Sequence, residues 1–326
     1  MADVIPITAR HPEPGRCAAT TARGTRCRNR AVDETGLCRV HGGRPRGRPR
    51  GEEDFLERAL AFIRTRLTGD YEIDEFGFDP RLTEEVLAPI ARQLHERWFR
   101  VDWMGMENVP AEGPALLVSN HAGTLPWDAI VMKFGVLDHA NRHVRLLAAN
   151  LAFRLPFVGP LARKSGNTLA TQEDALRLLE ADQLLGVFPE GYKGLGKPYR
   201  ERYKLQRFGR GGFIEIALRA RAPIVPVSIV GSEEVAPMLV DARPLARLFG
   251  FPYFPVTPTF PWLGPLGLFP LPTKWIVEFG EPIPTDDVAD DAWQDPLTVF
   301  EMTDRVRDVI QQALYRNLTA RRSIWS

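Results

Sequence analysis

The strongest constraint on the fold of this chain is a series of short apolar runs separated by longer segments. Between several of the runs the sequence has a helix-like pattern, clearest at residues 171–185 and 211–221. Alternation of short buried strands with helices is typical of an α/β domain, so the sequence predicts an α/β fold. The predicted strands lie in the stretches VDWMGMENVP, GPALLVSN, RLLAAN, LLGVFPEG, APIVPVSIVG and KWIVEFGEPI.

The first 50 residues differ in charge from the remainder of the chain. They contain 11 arginines and 4 acidic residues, a formal charge of +7, whereas all 326 residues together carry +1. The three cysteines, Cys17, Cys27 and Cys38, lie in this part and are followed by His41. Three thiolates and one imidazole match the ligands of a closed structural zinc site, which we predict within residues 1–42. Unrelated free thiols on a basic tail are the alternative interpretation.

Residues 43–53 repeat the sequence Gly-Arg-Pro-Arg, and this density of proline and glycine predicts an extended basic linker. The linker resembles an AT-hook core, which binds the DNA minor groove. An anionic lipid surface and no partner at all are the other two interpretations. A helical lead-in is predicted over residues 54–100, with one helix at 55–67 and a second beginning at Thr83. Either helix can pack on the core or lie on a membrane.

Several function classes are excluded or disfavoured by the sequence. No run of about 18 uninterrupted apolar residues is present, which disfavours a transmembrane helix. The N-terminal residues lack the apolar core of a secretory signal, so we expect a cytoplasmic protein, attached peripherally to the inner face of the plasma membrane. There is no Gly-x-Ser-x-Gly elbow of the α/β-hydrolase type. A Gly-x4-Gly-Lys match ending at Lys197 is followed by Pro198, which excludes a phosphate-binding loop.

The stretch NHAGTLPWD, which follows the second predicted strand, carries the candidate catalytic pair. His121 would lie at the carboxyl end of that strand, where α/β folds tend to place their sites. An imidazole can take a proton from an alcohol near neutral pH, and a carboxylate such as Asp128 can fix its orientation. By themselves the two residues are also consistent with a purely structural turn.

Three further stretches give this pair a context, namely FRLPFVGPLARKSGN, GVFPEGYKG and ARAPIVPVSIVG. In this order and spacing they resemble the blocks of the glycerolipid (lysophosphatidate-type) acyltransferase superfamily, over about residues 98–285. The segment LGLFPLPTKWIVEFGEPI is similar to its mono- and diacylglycerol acyltransferase-like branch. The four blocks correspond to His121 and Asp128, to Pro156, Gly159 and Gly166, to residues 188–191, and to residues 223–226.

The resemblance implies a mixed central sheet flanked by helices, in an acyltransferase domain over residues 101–290 with a C-terminal helix at 291–326. It implies an O-acyltransferase that moves a fatty acyl group from acyl-CoA or acyl-carrier protein to a hydroxyl of a lysophospholipid or a mono- or diacylglycerol. His121 would be the general base and Asp128 its orienting partner, without a catalytic cofactor. The candidate substrate-binding residues are Asn120, Phe188, Pro189, Glu190, Gly191, Arg163, Lys164, Lys193 and Lys197.

The chain departs from the superfamily pattern in two places. Six residues separate His121 from Asp128, where four are usual, so the pair requires the intervening loop to fold back. The arginine that commonly follows the second block, and is thought to meet the acceptor phosphate, is absent after Gly166. Arg163 and Lys164 are the candidate replacements; without them the acceptor would be a neutral glyceride. For Lys193 and Lys197, a solvated loop charge is the alternative to a phosphate contact.

Residues 248–270 are apolar, aromatic and rich in proline, and the prolines prevent a membrane-spanning helix. We predict that this segment covers the acyl-chain groove or enters the bilayer interface, and burial against the domain is the alternative. Two other functions stay open at this point. One is a nucleic-acid-binding protein with a degenerate acyltransferase body, and the other is a hydrolase that uses the same histidine and aspartate on water.

Overall fold

A computed structural model gives the structure of Arg64 and of residues 73–326. The predicted zinc segment at 1–42, the linker at 43–53 and, apart from Arg64, the predicted helix at 55–67 lie outside the described residues.

Seven strands pair into one sheet at the centre of the described residues. All nine described strands, numbered in chain order, are β1 (Asp102–Met104), β2 (Ala115–Ser119), β3 (Val144–Ala148), β4 (Thr168–Leu169), β5 (Leu184–Val187), β6 (Ile224–Val230), β7 (Val240–Asp241), β8 (Pro255–Val256) and β9 (Ile276–Phe279). The sheet order is β1-β9-β6-β2-β5-β3-β4, and β7 pairs separately with β8. Only β6 and β9 run antiparallel within the large sheet. The predicted mixed sheet is confirmed.

The apolar runs of the sequence are continuous because the central strands are buried on both faces. All five residues of β2 are buried. Leu116 and Val118 pack into the core on one face of the sheet, whereas Ala115 and Leu117 pack into the core on the other. This alternation is the two-residue period of a strand.

Helices cover both faces of the sheet. The described α-helices are α1 (Pro80–Leu82), α2 (Ala88–Gln93), α3 (Trp127–Ala140), α4 (Asn150–Arg154), α5 (Val158–Lys164), α6 (Gln172–Glu180), α7 (Tyr192–Leu195), α8 (Gly212–Arg219), α9 (Arg243–Phe249) and α10 (Pro296–Ala320). Helices α6, α8 and α10 contribute to the core on the first face and α3 to the core on the second, which confirms the flanking layers.

Two helix boundaries differ from the sequence prediction. The second helix of the lead-in begins at Pro80, ahead of Thr83, because the side chain of Asp79 accepts the N–H of Leu82 and caps this end. Helix α6 ends at Glu180, because the chain turns through Asp182 at a φ of 58°. The last residues of the predicted helix at 171–185 instead enter strand β5.

The proline-rich segment at 248–270 belongs to a folded excursion between β6 and β9. The β7–β8 hairpin and helix α9 form its first part, and a 3-10 turn at Gly264–Leu268 follows. Part of it is buried, as at Thr257, but Leu248, Trp262 and Leu266 are each more than 70% exposed, at 74%, 73% and 79%. Among the described helices none is long and apolar enough to cross a membrane.

Candidate active site

The candidate site lies at the carboxyl edge of the sheet, where β2 and β5 end side by side. Val118 of β2 pairs with Val187 of β5, so the residues that follow each strand emerge as neighbours. The structure therefore brings the first and third sequence blocks together, as parallel strands with adjacent ends require.

The six-residue gap between His121 and Asp128 does not prevent their contact. The Nδ1 atom of His121 lies 2.9 Å from Oδ2 of Asp128, and both side chains are largely buried, with 11% and 0% exposed. The loop folds back because Gly123 and Thr124 have φ values of 93° and 68°, in the left-handed region. The hydroxyl of Thr124 donates to the carbonyl of Ala236 at 2.7 Å and holds this turn.

The carboxylate of Asp128 also caps the turn that carries the histidine. Its Oδ2 accepts the N–H of Ala122 at 2.7 Å, and its Oδ1 accepts the N–H of Ala129 at 2.7 Å. Asp128 lies in the first turn of α3, where a negative charge is stabilised by the helix dipole. The position of the carboxylate against the imidazole is thus fixed from both sides.

Glu190 acts on the backbone of the site. Its Oε1 accepts the N–H of His121 at 2.9 Å, and its Oε2 accepts the N–H of Gln206 at 2.6 Å. Burial raises the pKa of Glu190, while the charge of Lys197 and these two N–H donors lower it. Glu190 therefore organises the loops around the histidine, and both of its oxygens are engaged by the protein.

Lys197 is buried between acidic residues and is not placed as a phosphate ligand. Its Nζ lies 2.8 Å from Oε1 of Glu233 and 3.8 Å from Oε2 of Glu190, and it donates to the carbonyl of Lys204 at 3.0 Å. The side chain is 1% exposed. Lys197 neutralises these two buried carboxylates, and its substrate-binding role stays a prediction. Burial raises the pKa of Glu233 to about 7, against the lowering effect of Lys197.

The side-chain amide of Asn120 is hydrogen-bonded to the backbone of the sheet. Its Nδ2 donates to the carbonyl of Ile229 at 3.0 Å, and its Oδ1 accepts the N–H of Ile229 at 2.8 Å. The side chain thus extends the β2–β6 pairing beyond the end of β2. This contact differs from the predicted substrate contact, because both ends of the amide are taken by the backbone.

The Phe-Pro-Glu-Gly block forms the wall beside the imidazole. The ring of Phe188 lies 4.4 Å from that of His121, centroid to centroid, at an angle of 33°. Pro189 leads into Glu190, and Gly191 has a φ of 54° and a ψ of −139°, a conformation suited to glycine.

The remaining predicted cations are exposed. Arg163 and Lys164 end helix α5, where the guanidinium of Arg163 lies 4.8 Å from the ring of Phe153. Lys193 is exposed on α7. All three are exposed, unlike Lys197, and their contacts with a substrate stay predictions.

Arg145, which the sequence motifs do not single out, contacts the second block at Gly166. The Nε of Arg145 donates to the carbonyl of Gly166 at 2.9 Å, and its Nη1 lies 2.5 Å from Oδ2 of Asp74. The Arg145 side chain is 3% exposed. Glu233, Tyr253 and Gly194 were also missed, although all three contact the site residues or their loops. No local pattern marks such residues, since their neighbours are distant in sequence.

The described residues were compared with the ligand sets that metal ions require. Within Arg64 and residues 73–326, no group of three or more His, Cys, Asp or Glu side chains is arranged to hold a metal ion. The predicted zinc ligands Cys17, Cys27, Cys38 and His41 lie outside those residues.

Comparison with known proteins identifies the family of the region that contains the candidate site. The sequence model of the Acyltransferase family matches residues 100–230. An uncharacterized protein of Mycobacterium tuberculosis (strain ATCC 25618 / H37Rv) is 56% identical over 279 residues, or 85% of this chain and 78% of that protein. The human DGAT1/2-independent enzyme synthesizing storage lipids is 25% identical over 214 residues, or 66% of this chain and 60% of that protein.

The fold also has a counterpart among solved structures. The crystal structure of the 1-acyl-sn-glycerophosphate (LPA) acyltransferase PlsC from Thermotoga maritima superposes with a TM-score of 0.52. The superposition covers 82% of this chain and 95% of the PlsC chain at 19% identity, which is a likeness of fold. With the family match and the mycobacterial relative, these findings show that this chain is an acyltransferase and belongs to the Acyltransferase family.

Proposed function

We propose that this enzyme transfers a fatty acyl group from acyl-CoA or acyl-carrier protein to a hydroxyl group of a glycerolipid at a membrane surface. The observation that carries the proposal is the contact between His121 Nδ1 and Asp128 Oδ2 at 2.9 Å. Because a carboxylate only accepts, this contact places the ring proton on Nδ1 and the lone pair on Nε2. The Nε2 atom is then the general base.

The reaction follows from that tautomer. Nε2 of His121 takes the proton of the acceptor hydroxyl as its oxygen attacks the thioester carbonyl carbon. The carbon–sulfur bond then breaks, and the departing thiolate takes the proton from the imidazolium. Asp128 stabilises the imidazolium between these two steps. The protein needs no catalytic cofactor for this sequence, since the thioester already supplies the activated acyl group.

A neutral mono- or diacylglycerol is the acceptor that the site favours over a lysophosphatidate. The arginine that faces Gly166 is Arg145, and its guanidinium is buried against Asp74. A guanidinium that is already neutralised is a poor ligand for a phosphate dianion. The name of the human relative, which refers to storage lipids, supports the same class. If Arg163 and Lys164 reach a headgroup, a lysophospholipid becomes the better acceptor.

Product analysis tests the proposal. The purified full chain is incubated with labelled palmitoyl-CoA or palmitoyl-carrier protein and with monoacylglycerol, diacylglycerol or lysophosphatidate, and products are identified by mass spectrometry. We expect acylglycerol formation that His121→Ala abolishes and His143→Gln retains, since His143 pairs with Glu84 and not with the site. Equal turnover in wild type and His121→Ala would contradict the assignment.

The same assay separates the two other functions. A hydrolase would release free fatty acid in place of an acylated acceptor. A nucleic-acid-binding protein with a degenerate body would give no product but a salt-sensitive gel shift with AT-rich duplex. The segment expected to bind DNA lies outside the described residues.

A further inference from the structure

An exposed apolar surface stands on the excursion between β6 and β9, beside the candidate active site. We call it the excursion face, defined by Val240, Leu248, Phe249, Trp262, Leu263 and Leu266. Each of these side chains is between 57% and 79% exposed. Single exposed apolar residues are ordinary, but such a group within one folded segment marks an interaction surface.

The excursion is folded as one piece. Strands β7 and β8 pair within it, and the ring of Phe254 lies 5.9 Å from Phe249 on one side and 5.5 Å from Phe260 on the other. The hydroxyl of Thr259 donates to the carbonyl of Gly267 at 2.8 Å and fixes the 3-10 turn. The exposed side chains therefore project from a packed support.

The excursion is attached directly to the catalytic turn. The hydroxyl of Tyr253 donates to the carbonyl of Thr124, in the loop between His121 and Asp128. Burial raises the pKa of Tyr253, and the nearby charge of Asp128 adds to this effect. The ring of Tyr253 also packs against Gly196. Whatever binds the excursion face is thus held next to the site.

The charges around the excursion face are mainly positive. Residues 240–273 contain two arginines, Arg243 and Arg247, and one acid, Asp241, whose Oδ2 lies 3.5 Å from Nε of Arg243. The neighbouring segment at 193–204 contains five lysines and arginines and a single acid, Glu201. Its contact with the excursion is a hydrogen bond from the N–H of Tyr199 to the carbonyl of Met238 at 2.9 Å. Four of those five cations are exposed, Lys197 being the exception.

We propose that the excursion face is the surface by which this enzyme docks on an anionic lipid bilayer. Leucine, phenylalanine and tryptophan side chains suit the boundary between headgroups and acyl chains, and arginine and lysine suit the lipid phosphates. A second copy of the chain fits less well, because a twofold interface would bring together the excess of arginine and lysine around this face in both copies. The proposal rests on the proposed function for its lipid acceptor.

Vesicle sedimentation with the full chain tests the surface. The vesicles are pure phosphatidylcholine or phosphatidylcholine mixed with phosphatidylglycerol. We expect Trp262→Ser/Leu266→Ser to weaken binding to both kinds about tenfold or more. Arg243→Ala/Arg247→Ala should weaken binding to the anionic vesicles only, by about fivefold for each arginine. Every variant keeps the basic first 50 residues, so any effect of these on vesicle binding is the same in all of them.

Matched controls come from helix α10, which carries none of the excursion face. Leu297 is 62% exposed there and Arg305 is exposed as well. Leu297→Ser and Arg305→Ala should bind vesicles like the wild type. In addition, phospholipid with brominated acyl chains should quench the fluorescence of the wild type more than that of Trp262→Phe. Equal binding by Trp262→Ser/Leu266→Ser and Leu297→Ser, or equal quenching, overturns the proposal.

Two further outcomes separate this proposal from its alternatives. A dimer in sedimentation equilibrium that Trp262→Ser/Leu266→Ser converts to monomer, with vesicle binding unchanged, would assign the excursion face to a second copy and overturn the docking. His121→Ala should bind vesicles like the wild type, so binding can be measured without catalysis. Retained binding with no acyl transfer contradicts the proposed function alone, and transfer without any effect of the surface variants on binding contradicts the docking alone.

Discussion

The Nδ1 atom of His121 and the Oδ2 atom of Asp128 lie 2.9 Å apart, although six residues separate them in sequence. The same oxygen accepts the N–H of Ala122. Because one carboxylate both faces the imidazole and closes the turn that carries it, the geometry of the proposed catalytic pair and the local folding depend on the same side chain. A change at Asp128 therefore has to be compared with a matched change elsewhere.

Replacing Asp128 with asparagine should lower kcat about 10²- to 10⁴-fold, with little change in KM. The amide keeps the size of the side chain, but it cannot stabilise the imidazolium and can offer a donor to Nδ1. That donor favours the tautomer with its proton on Nε2, which removes the base. Steady-state kinetics of acyl transfer checks the prediction, with circular dichroism to show that the variant folds.

The control for Asp128→Asn is Asp138→Asn on the same helix. Asp138 lies 2.9 Å from Nε2 of the fully buried His95 and also pairs with Arg92, and these partners, against the opposing effect of burial, lower its pKa to about 2. This pair is structural, so Asp138→Asn should lower the urea midpoint while the folded enzyme keeps its kcat. Equal kcat losses in the two variants would show that the effect of Asp128→Asn is not specific to the catalytic pair.

Replacing Lys197 with methionine should destabilise the protein by about 3–5 kcal/mol, because Glu190 and Glu233 then lie buried without a nearby cation. Adding Glu233→Gln should restore part of that loss. The free energies of unfolding of the single and double variants in urea give the coupling. A phosphate ligand would behave differently: the KM for acyl-CoA would rise in Lys197→Met and stay raised in the double variant.

The sequence carried enough information to predict the sheet and the contact between His121 and Asp128, because both depend on local patterns. The apolar runs predicted the central strands, and His121 with Asp128 followed from one short motif and its position before Phe-Pro-Glu-Gly. The six-residue gap was the uncertain point. Two positive φ values, at Gly123 and Thr124, resolve it, and a non-glycine residue in that conformation has no reliable sequence pattern.

The surroundings of the pair were less predictable, because they depend on residues far apart in the chain. From its local sequence, Lys197 is consistent with a solvated cation or a phosphate ligand, and only the fold shows that Glu233 lies beside it. From its local sequence, Asn120 is a candidate substrate contact, and only the fold shows that its amide is hydrogen-bonded to the backbone of Ile229 in β6. A polar side chain at the edge of a site offers the same pattern whether its partner is a ligand or the protein.

Lys133 should give the protein a pH-dependent stability. It is buried on α3, where it donates to the carbonyl of Ser165 and to Oδ1 of Asn167, and burial, assisted by Arg145, lowers its pKa to about 7. A lowered folded-state pKa means that the unfolded chain binds the proton first as the pH falls. The contribution of Lys133 to stability is therefore present above the ordinary lysine pKa and is lost as the pH falls toward 7.

Urea unfolding of wild type and Lys133→Met between pH 7 and pH 10 checks this sign. The free energy of unfolding of the wild type, relative to the variant, should fall with decreasing pH by at most about 1.4 kcal/mol for each pH unit. The comparison removes the titration of all groups that the two proteins share. A difference that is constant across this range would contradict the prediction.

Replacing Gly194 with alanine should damage catalysis more than stability. A Cβ at this position would collide with the backbone carbonyl of His121 and lie 2.9 Å from Cβ of Glu190. The carbonyl cannot swing aside as the end of a flexible side chain can, so the backbone of the histidine has to move. Since small displacements of a catalytic group are costly, kcat should fall on the order of 10- to 100-fold.

Gly212 provides the control, because it also lies in a helix but has room for a methyl group. The nearest atom to a Cβ there is Nε2 of Gln172 at 3.6 Å, an ordinary contact. Gly212→Ala should keep its kcat and gain about 0.5–1 kcal/mol of stability, since alanine favours a helix more than glycine does. If Gly194→Ala behaves like Gly212→Ala in both measurements, helix α7 is free to move away from His121, and the close packing of these two backbones is not required for acyl transfer.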